Sequence, residues 1–407
     1  MKVLIVGGVA GGATAAARLR RLNEFCEIIL FERGEHISYA NCGLPYYIGG
    51  VIEDSGQLIL QTPESFKARF NIDVRVNSEV FSINPASKTV EVKRVDNGET
   101  YSESYDYLII STGAYPIFPD IKGADSERVF TLRSIADTFR IKDFIDRNKP
   151  RRAAVIGGGY IGVEVAENLH KSGLEVTIIE KANQVIASID CDMAAQVHRH
   201  IEKMGVRLLL ESTVHAITDD KGELRIAVDS DEITADMAVM AVGALPDTAL
   251  AKRAGLKLNQ RGSIIVDRYM RTSVRDIYAV GDAVEVTDFI TGQQTFIPLA
   301  GPANKQGRIA ADNICGLKSE YTGTQGSSIL KVFDLTVAAT GINEKTAKKL
   351  GIDYDKSFTF SPSHASYYPG ASTMTMKVLF EKRSGKILGA QIIGHEGVDK
   401  RCDVIAT

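Results

Sequence analysis

Residues 153–173 read AAVIGGGYIGVEVAENLHKSG, and residues 175–180 continue as EVTIIE. A short β-branched run leads into a glycine turn, a segment rich in Val, Glu, Ala and Leu follows, and a second β-branched run closes on an acid. This order predicts a strand, a turn, a helix and a second strand parallel to the first, joined by a right-handed crossover. Gly157, Gly159 and Gly162 occupy the three positions of G-x-G-x-x-G, Tyr160 and Ile161 stand between the last two, and Glu180 lies 18 residues beyond Gly162. Such glycines allow a tight turn and a close approach of backbone to a pyrophosphate. The helix N-terminus faces the phosphates, and the terminal acid bonds a ribose hydroxyl. A dinucleotide is the expected ligand. Glu180 would repel a 2′-phosphate, which favours NADH over NADPH, and the adjacent Lys181 softens that preference.

The same pattern occurs 150 residues earlier, where residues 3–22 read VLIVGGVAGGATAAARLRRL and residues 27–32 read EIILFE. Gly7 and Gly12 hold the outer positions, Val9 stands in the middle one, Gly8, Ala10 and Gly11 flank it, and Glu32 lies 20 residues past Gly12. This is a second, less regular dinucleotide loop. Further along, residues 263–266 read as a strand, and Gly281-Asp282 then places an acid just after a glycine at a strand end. That acid would accept hydrogen bonds from a cofactor's polyol chain; an ordinary turn or helix-cap Asp is the alternative. Residues 74–95 and 105–110 read as strands, the second closing in the turn Ser111-Thr112-Gly113, and so do residues 206–210, 224–228 and 237–242. A polar stretch at 321–328 precedes strands at 329–333, 373–380 and 387–393, which read as a third domain of mixed or antiparallel β character.

Composition excludes several classes of function. The 48 Lys and Arg nearly balance 51 Asp and Glu, a formal charge of −3, so no global field attracts nucleic acid or an anionic membrane. No run of about 18 apolar residues occurs, and the N-terminus lacks the pattern of a secretory signal, which points to a cytoplasmic protein. Five scattered cysteines, none in CxxC spacing, suggest neither a disulfide framework nor a metal site. Glycine is the informative excess, because its 36 residues cluster in a few runs.

One cysteine stands apart. Ser38-Tyr39-Ala40-Asn41-Cys42-Gly43-Leu44-Pro45 follows Glu32 closely, so Cys42 is expected on a turn entering a helix, beside the first cofactor. A helix N-terminus would lower the thiol pKa and supply the thiolate that attacks disulfides. No second Cys follows within a few residues, so an internal Cys–Cys pair is not expected and one thiol would do the work. A small buried Cys is the bland alternative, and Cys26, Cys191, Cys315 and Cys402 keep that reading.

Taken together, GGVAGGATAAARLRRL, SYANCGLPYYIGG, STGAYP, GGGYIGVE, AVGALPDT, YAVGDAVE and SHASYYPGA resemble the single-cysteine flavoproteins that reduce coenzyme A disulfide or coenzyme A persulfide, over essentially the whole chain. The resemblance implies an α/β fold with two Rossmann-like domains, the NAD(P)H domain inserted in the FAD domain, plus an α+β dimerisation domain. Its segments would be 1–115 and 244–323 for FAD, 116–243 for NAD(P)H and 324–407 for pairing in a homodimer, the last expected to be incomplete at Thr407. It implies FAD, NADH (with NADPH possible) and coenzyme A as ligands, and neither nucleic acid, membrane nor metal. Cofactor contacts would come from Gly7, Gly8, Val9, Ala10, Gly11, Gly12, Glu32, Arg33, Asn41, Thr112, Gly113, Gly281, Asp282 and Ala300, and from Gly157, Gly159, Tyr160, Ile161, Gly162, Glu164, Glu180, Lys181 and Gly243. Tyr160 would gate the nicotinamide pocket with Glu164 near the ring.

The resemblance further implies that Cys42 cycles between thiolate and a mixed disulfide with coenzyme A. Thr14, Ser38 and Asn41 match coenzyme A contacts, Asn304 matches more weakly, and Arg18 and Arg21, three residues apart on one helix face, would hold its phosphates. Cations complementing a helix C-terminus are the alternative for that pair. Tyr367, with Tyr368 in reserve, would protonate the departing thiolate in the partner subunit's site; adjacent buried aromatics are the alternative. The same family includes NADH oxidases and peroxidases that use a Cys sulfenic acid beside a His in the first glycine loop, and no His occurs between Gly8 and Gly11. A redox-sensing flavoprotein without turnover is the alternative of another class.

Overall fold

The computed structural model describes residues 1–229 and 231–407. The chain forms two compact units, one of Met1–Ala40, Ser55–Tyr115 and Ala244–Thr324, the other of Asn41–Asp54, Pro116–Gly243 and Gln325–Thr407. The segment carrying Cys42 thus belongs to the second unit, while the first glycine loop belongs to the first.

The first unit is built on a five-stranded sheet in the order Ile277–Ala279, Tyr107–Ile110, Lys2–Val6, Glu27–Phe31, Asp73–Arg75, with every pair parallel. Its central strand reads as an unbroken apolar run because both faces are covered, and Val3, Leu4 and Ile5 are fully buried. The helix Ala10–Leu22 follows the glycine loop and buries a face of Gly and Ala, with Arg20 and Arg21 in its last turn complementing the helix dipole. Small residues on that face let the helix Ala300–Ile314 approach closely: a Cβ on Gly307 would stand 2.4 Å from the Gly11 carbonyl oxygen. An antiparallel meander, Ser78–Asn84, Thr89–Arg94 and Thr100–Ser104, completes the crossover to Tyr107–Ile110.

The second unit repeats this plan. Its parallel sheet runs Arg207–Leu209, Glu175–Ile179, Arg152–Ile156, Met237–Met240, Val129–Thr131, its helix is Tyr160–Lys171, and its meander is Val214–Asp220, Glu223–Val228 and Asp231–Ala235. A further antiparallel sheet follows in the order Ser328–Val332, Leu335–Gly341, Ile387–Gly394, Thr373–Glu381, Tyr354–Pro362.

Two readings need revision. Residues 263–266 are not a strand: Ile264 makes only isolated bridges to Leu258 and Val284. The Asn259 side chain accepts from the backbone of Arg261 and Ser263 and holds this stretch in a turn. Residues 74–95 divide into three strands, Asp73–Arg75, Ser78–Asn84 and Thr89–Arg94, because Asn77 and Lys88 adopt positive φ and turn the chain between them.

Candidate active site

Each glycine loop is closed by its own acid. In the first unit the Glu32 carboxylate accepts from Gly8 N at 2.9 Å and from Gly34 N at 3.0 Å. In the second, Glu180 accepts from Gly158 N at 2.5 Å and from Ala182 N at 2.7 Å. Both acids therefore hold the backbone of the turn they terminate. The recess around Gly7, Glu32, Arg33 and Thr112 measures about 220 Å³. Arg33 pairs with Asp247 at 3.2 Å, and the Thr112 hydroxyl donates to the Asp247 carbonyl at 2.5 Å while Asp247 N donates to Gly113 O at 2.9 Å. Gly281 starts a short 3₁₀ turn at φ +78°, its N–H donating to Gln306 Oε1 at 2.7 Å, and Asp282 is the next residue in that turn. Ala300 opens the helix packed on the first loop's helix.

The second loop lines a larger cavity of about 620 Å³, whose walls include Gly157, Gly159, Glu180, Lys181 and Gly243. Gly159 is the N-cap of the helix that starts at Tyr160, with φ −72°, and among the described residues none beyond its chain neighbours comes within 4 Å of where its Cβ would stand. Ile161 is exposed and Gly162 buried on the first turn of that helix. The Tyr160 hydroxyl is held between Ser188 Oγ at 2.5 Å and Ser328 Oγ at 2.6 Å.

Cys42 is exposed and lies in a 3₁₀ turn, Asn41–Gly43, that enters the helix Leu44–Ile48, as the sequence predicts. The expected lowering of its pKa does not occur. Although the residue keeps an exposed edge, the protein packed around it partly desolvates the thiol and pushes it up, and the carboxylate of Glu164 adds to the push. The helix is only 5 residues long, too short to set a strong dipole against desolvation. Burial likewise lifts Glu164 to about 7, assisted by Glu167 and opposed by the Tyr46 hydroxyl, which donates to it at 3.3 Å. Beside the thiol, Asn41 Oδ1 is buried without a partner among the described residues, an acceptor left for a bound molecule.

The expected coenzyme A contacts separate between the units. Thr14 donates to Asn304 Oδ1 at 2.8 Å, and Ser38, at φ +45°, donates its N–H to Gly8 O at 2.8 Å, both in the first unit. Arg18 is already engaged, its Nε lying 2.7 Å from Asp312, so any phosphate there competes with a carboxylate. Arg21 lies over the Phe70 ring, 5.6 Å from its centroid. Tyr367 and Tyr368 are 90% and 66% exposed, so neither packs into this chain's own core.

A model of the pyridine nucleotide-disulphide oxidoreductases matches residues 1–307, and a model of their dimerisation domain matches 327–407. The chain belongs to this family. A coenzyme A disulfide reductase of Staphylococcus epidermidis is 37% identical over 411 residues, covering 100% of this chain and 91% of that protein. An NADH oxidase of Methanocaldococcus jannaschii is 36% identical over 408 residues, with 100% and 90% covered. The crystal structure of reduced Bacillus anthracis CoADR-RHD is 54% identical with a TM-score of 0.98, covering 100% of this chain and 73% of that one. This pyridine nucleotide-disulphide oxidoreductase is therefore an enzyme of the group that holds the coenzyme A disulfide reductases and NADH oxidases, and its family implies FAD and NAD(P)H. Its residues fit such cofactors: two acid-closed glycine loops, one lining a large cavity with an open Cβ direction at Gly159. No helix is long and apolar enough to cross a membrane among the described residues.

Two features of this oxidoreductase escape a reading of its sequence. Tyr46 is one, since nothing in LPYY distinguishes a hydrogen-bonding Tyr from a packing one. The other is Lys377, fully buried inside a strand and ringed by Asp190 at 2.9 Å, Asp192 at 2.8 Å and Glu344 at 2.5 Å. Burial opposes ionisation of Glu344, but hydrogen bonds from Lys356, Lys377 and Tyr354 prevail and hold it at about 2. This cluster ties the C-terminal sheet to the start of the helix Cys191–Lys203. A lysine in TMTMKVLFE reads as a solvent-facing residue, and only the tertiary fold supplies its three carboxylates.

Proposed function

We propose that this enzyme reduces coenzyme A disulfide, or a coenzyme A persulfide, at the expense of NAD(P)H through the single thiol of Cys42. The observation that carries the reading is Cys42 itself: an exposed, unpaired thiol with no second cysteine in its loop, beside an unpartnered buried acceptor on Asn41. The similarity to coenzyme A disulfide reductase supports the substrate class. Residues 1–115 and 244–323 would hold FAD, 116–243 NAD(P)H, and 324–407 would pair two copies. When bound, these cofactors supply the two-electron chemistry.

The Cys42 thiolate attacks one sulfur of coenzyme A disulfide, the substrate S–S bond breaks, and one coenzyme A leaves as a thiolate that takes up a proton. Reduction of the resulting Cys42–coenzyme A disulfide by two electrons breaks the second S–S bond, frees the other coenzyme A thiol and restores the Cys42 thiolate. Exposed Tyr367, with Tyr368 beside it, is suited to donate the proton across a homodimer interface. Arg21, with Arg18 once Asp312 yields, would take the coenzyme A phosphates, and Thr14, Ser38, Asn41 and Asn304 its polar groups. Glu164 and Tyr160 would border the nicotinamide, with Glu180 on its ribose.

The test is NADH consumption with coenzyme A disulfide under anaerobic conditions. Wild type and Cys191→Ser should turn over alike, whereas Cys42→Ser should lose at least 100-fold in rate, about 2.7 kcal/mol of transition-state stabilisation, while keeping its yellow FAD. Wild-type-like turnover by Cys42→Ser rejects the mechanism. NADH consumption sustained by oxygen or hydrogen peroxide, but not by coenzyme A disulfide, would favour the oxidase or peroxidase reading.

A further inference from the structure

Just past the redox turn, the helix Leu44–Ile48 packs against the helix Tyr160–Lys171, both in the second unit. Tyr46 lies four residues beyond Cys42, one helical turn along, and donates its hydroxyl to Glu164 Oε1 at 3.3 Å. The packing that brings them together is tight. Asn168, one turn beyond Glu164, donates to the Glu164 carbonyl at 2.8 Å, and its side chain sits where a Cβ on Gly49 would be 2.3 Å from Oδ1. The Ser172 hydroxyl donates to Ile48 O at 3.1 Å and fixes the far end of the short helix. The helix Ile135–Asn148 adds an aromatic edge, Phe139 against Tyr47 at 5.9 Å. Glu167 is the other acid near Tyr46 and Glu164, and its charge is matched by Lys171 at 2.6 Å, with Phe333 N donating to its second oxygen at 2.7 Å. Glu164 is thus the acid in this cluster whose carboxylate has a neutral phenol as its side-chain partner.

We propose that Tyr46 and Glu164 are a positioning pair that sets the ionisation of Cys42, with the Glu164 carboxyl acting as an electrostatic gate on the thiol and Tyr46 fixing its orientation and charge. The inference rests on the reading of Cys42 as the redox thiol. When Glu164 is ionised, its negative charge opposes a second negative charge on sulfur; when it carries its proton, that opposition is absent. The short helix after Cys42 packs on the helix that carries Glu164, and the Glu164 charge reaches the Cys42 thiol, so the two titrations are coupled. Tyr46 favours the ionised form of Glu164 by donating to it. A phenol in this place therefore restrains the thiolate in the resting enzyme, and any step that neutralises Glu164 releases it.

The readout is the rate at which iodoacetamide alkylates Cys42 in the FAD-loaded enzyme, freed of bound thiols with dithiothreitol, desalted and followed from pH 5.5 to 9.5 by mass analysis of the Cys42 peptide. Wild type should give a rise broader than a one-proton curve. Glu164→Gln should give a single-proton curve displaced to lower pH, with alkylation about two- to fourfold faster near pH 7.5, where roughly a quarter of Glu164 still carries its proton. Tyr46→Phe should speed alkylation near pH 7, because Glu164 stays protonated longer, and rejoin the wild-type curve above about pH 9. Should Glu164→Gln not fold, the Tyr46→Phe curve alone decides. Superimposable profiles for the variants and wild type overturn the pair, and they do so whether or not Cys42→Ser has lost disulfide reduction, so the two readings fail separately.

Discussion

At Gly7 and Gly157 the backbone does the same thing twice: φ is +101° in one loop and +110° in the other. A Cβ would come 2.1 Å from the Ser111 carbonyl oxygen in the first and 2.4 Å from that of Ala241 in the second. Each loop is then pinned by the acid that ends the following strand. The loops part at the middle position, where Val9 faces the role that Gly159 fills. Val9 has φ −96° and Gly159 φ −72°, both open to any residue, and no protein atom crowds the Cβ direction of Gly159. Two kinds of glycine are therefore present. The first and last glycines are demanded by the fold, whereas no neighbouring described residue demands the middle one.

Substitutions at the shared positions should have the largest effects. Alanine at Gly157 or Gly7 is strained by about 1–3 kcal/mol from its backbone alone, before the clash with a strand-end carbonyl. Gly157→Ala should lower the melting temperature and abolish measurable NADH binding by titration calorimetry. Gly7→Ala should instead purify without flavin. An unperturbed Gly157→Ala enzyme would break the equivalence of the two loops.

The acids come next. Glu180→Ala leaves Gly158 N and Ala182 N without their acceptor and should cost about 1–3 kcal/mol. Its NADH affinity should fall more than its NADPH affinity, read as a narrowed ratio of the two KM values. Glu32→Ala should loosen FAD and leave that ratio alone. The smallest effect on stability belongs to Gly159→Val, which copies the first loop into the second. Thermal unfolding should shift by no more than about 1 kcal/mol, yet NADH KM should rise at least tenfold, about 1.4 kcal/mol. An unchanged KM would show that the middle glycine serves neither fold nor ligand.

The parts of this molecule that were legible in its sequence are those governed by local rules. The parallel strands announce themselves as unbroken apolar runs, and the glycines and acids of both loops sit at spacings set by turn geometry. The turn carrying Cys42, which follows closely on Glu32, is legible as well. What escaped depends on distant partners. Arg18 meets Asp312, 294 residues away, and Lys377 meets acids 33 to 187 residues distant, so neither pairing leaves a local trace. The edge strand Tyr354–Pro362 is exposed nearly throughout, and the alternation of Tyr354, Phe358 and Phe360 is broken by Lys356, so no continuous apolar face marks it. The direction of the Cys42 shift is hidden for the same reason, since a helix start is visible in sequence but the desolvation and the Glu164 carboxylate that overrule it are not.

The central claim is that one thiol carries the substrate covalently. Mass analysis of the intact enzyme and of its Cys42 peptide, after dithiothreitol treatment, desalting and incubation with coenzyme A disulfide, tests it most directly. A single added coenzyme A on the Cys42 peptide, removed by NADH under anaerobic conditions and absent from Cys42→Ser, is the predicted result. An unmodified Cys42, or an adduct that NADH leaves in place, would contradict it.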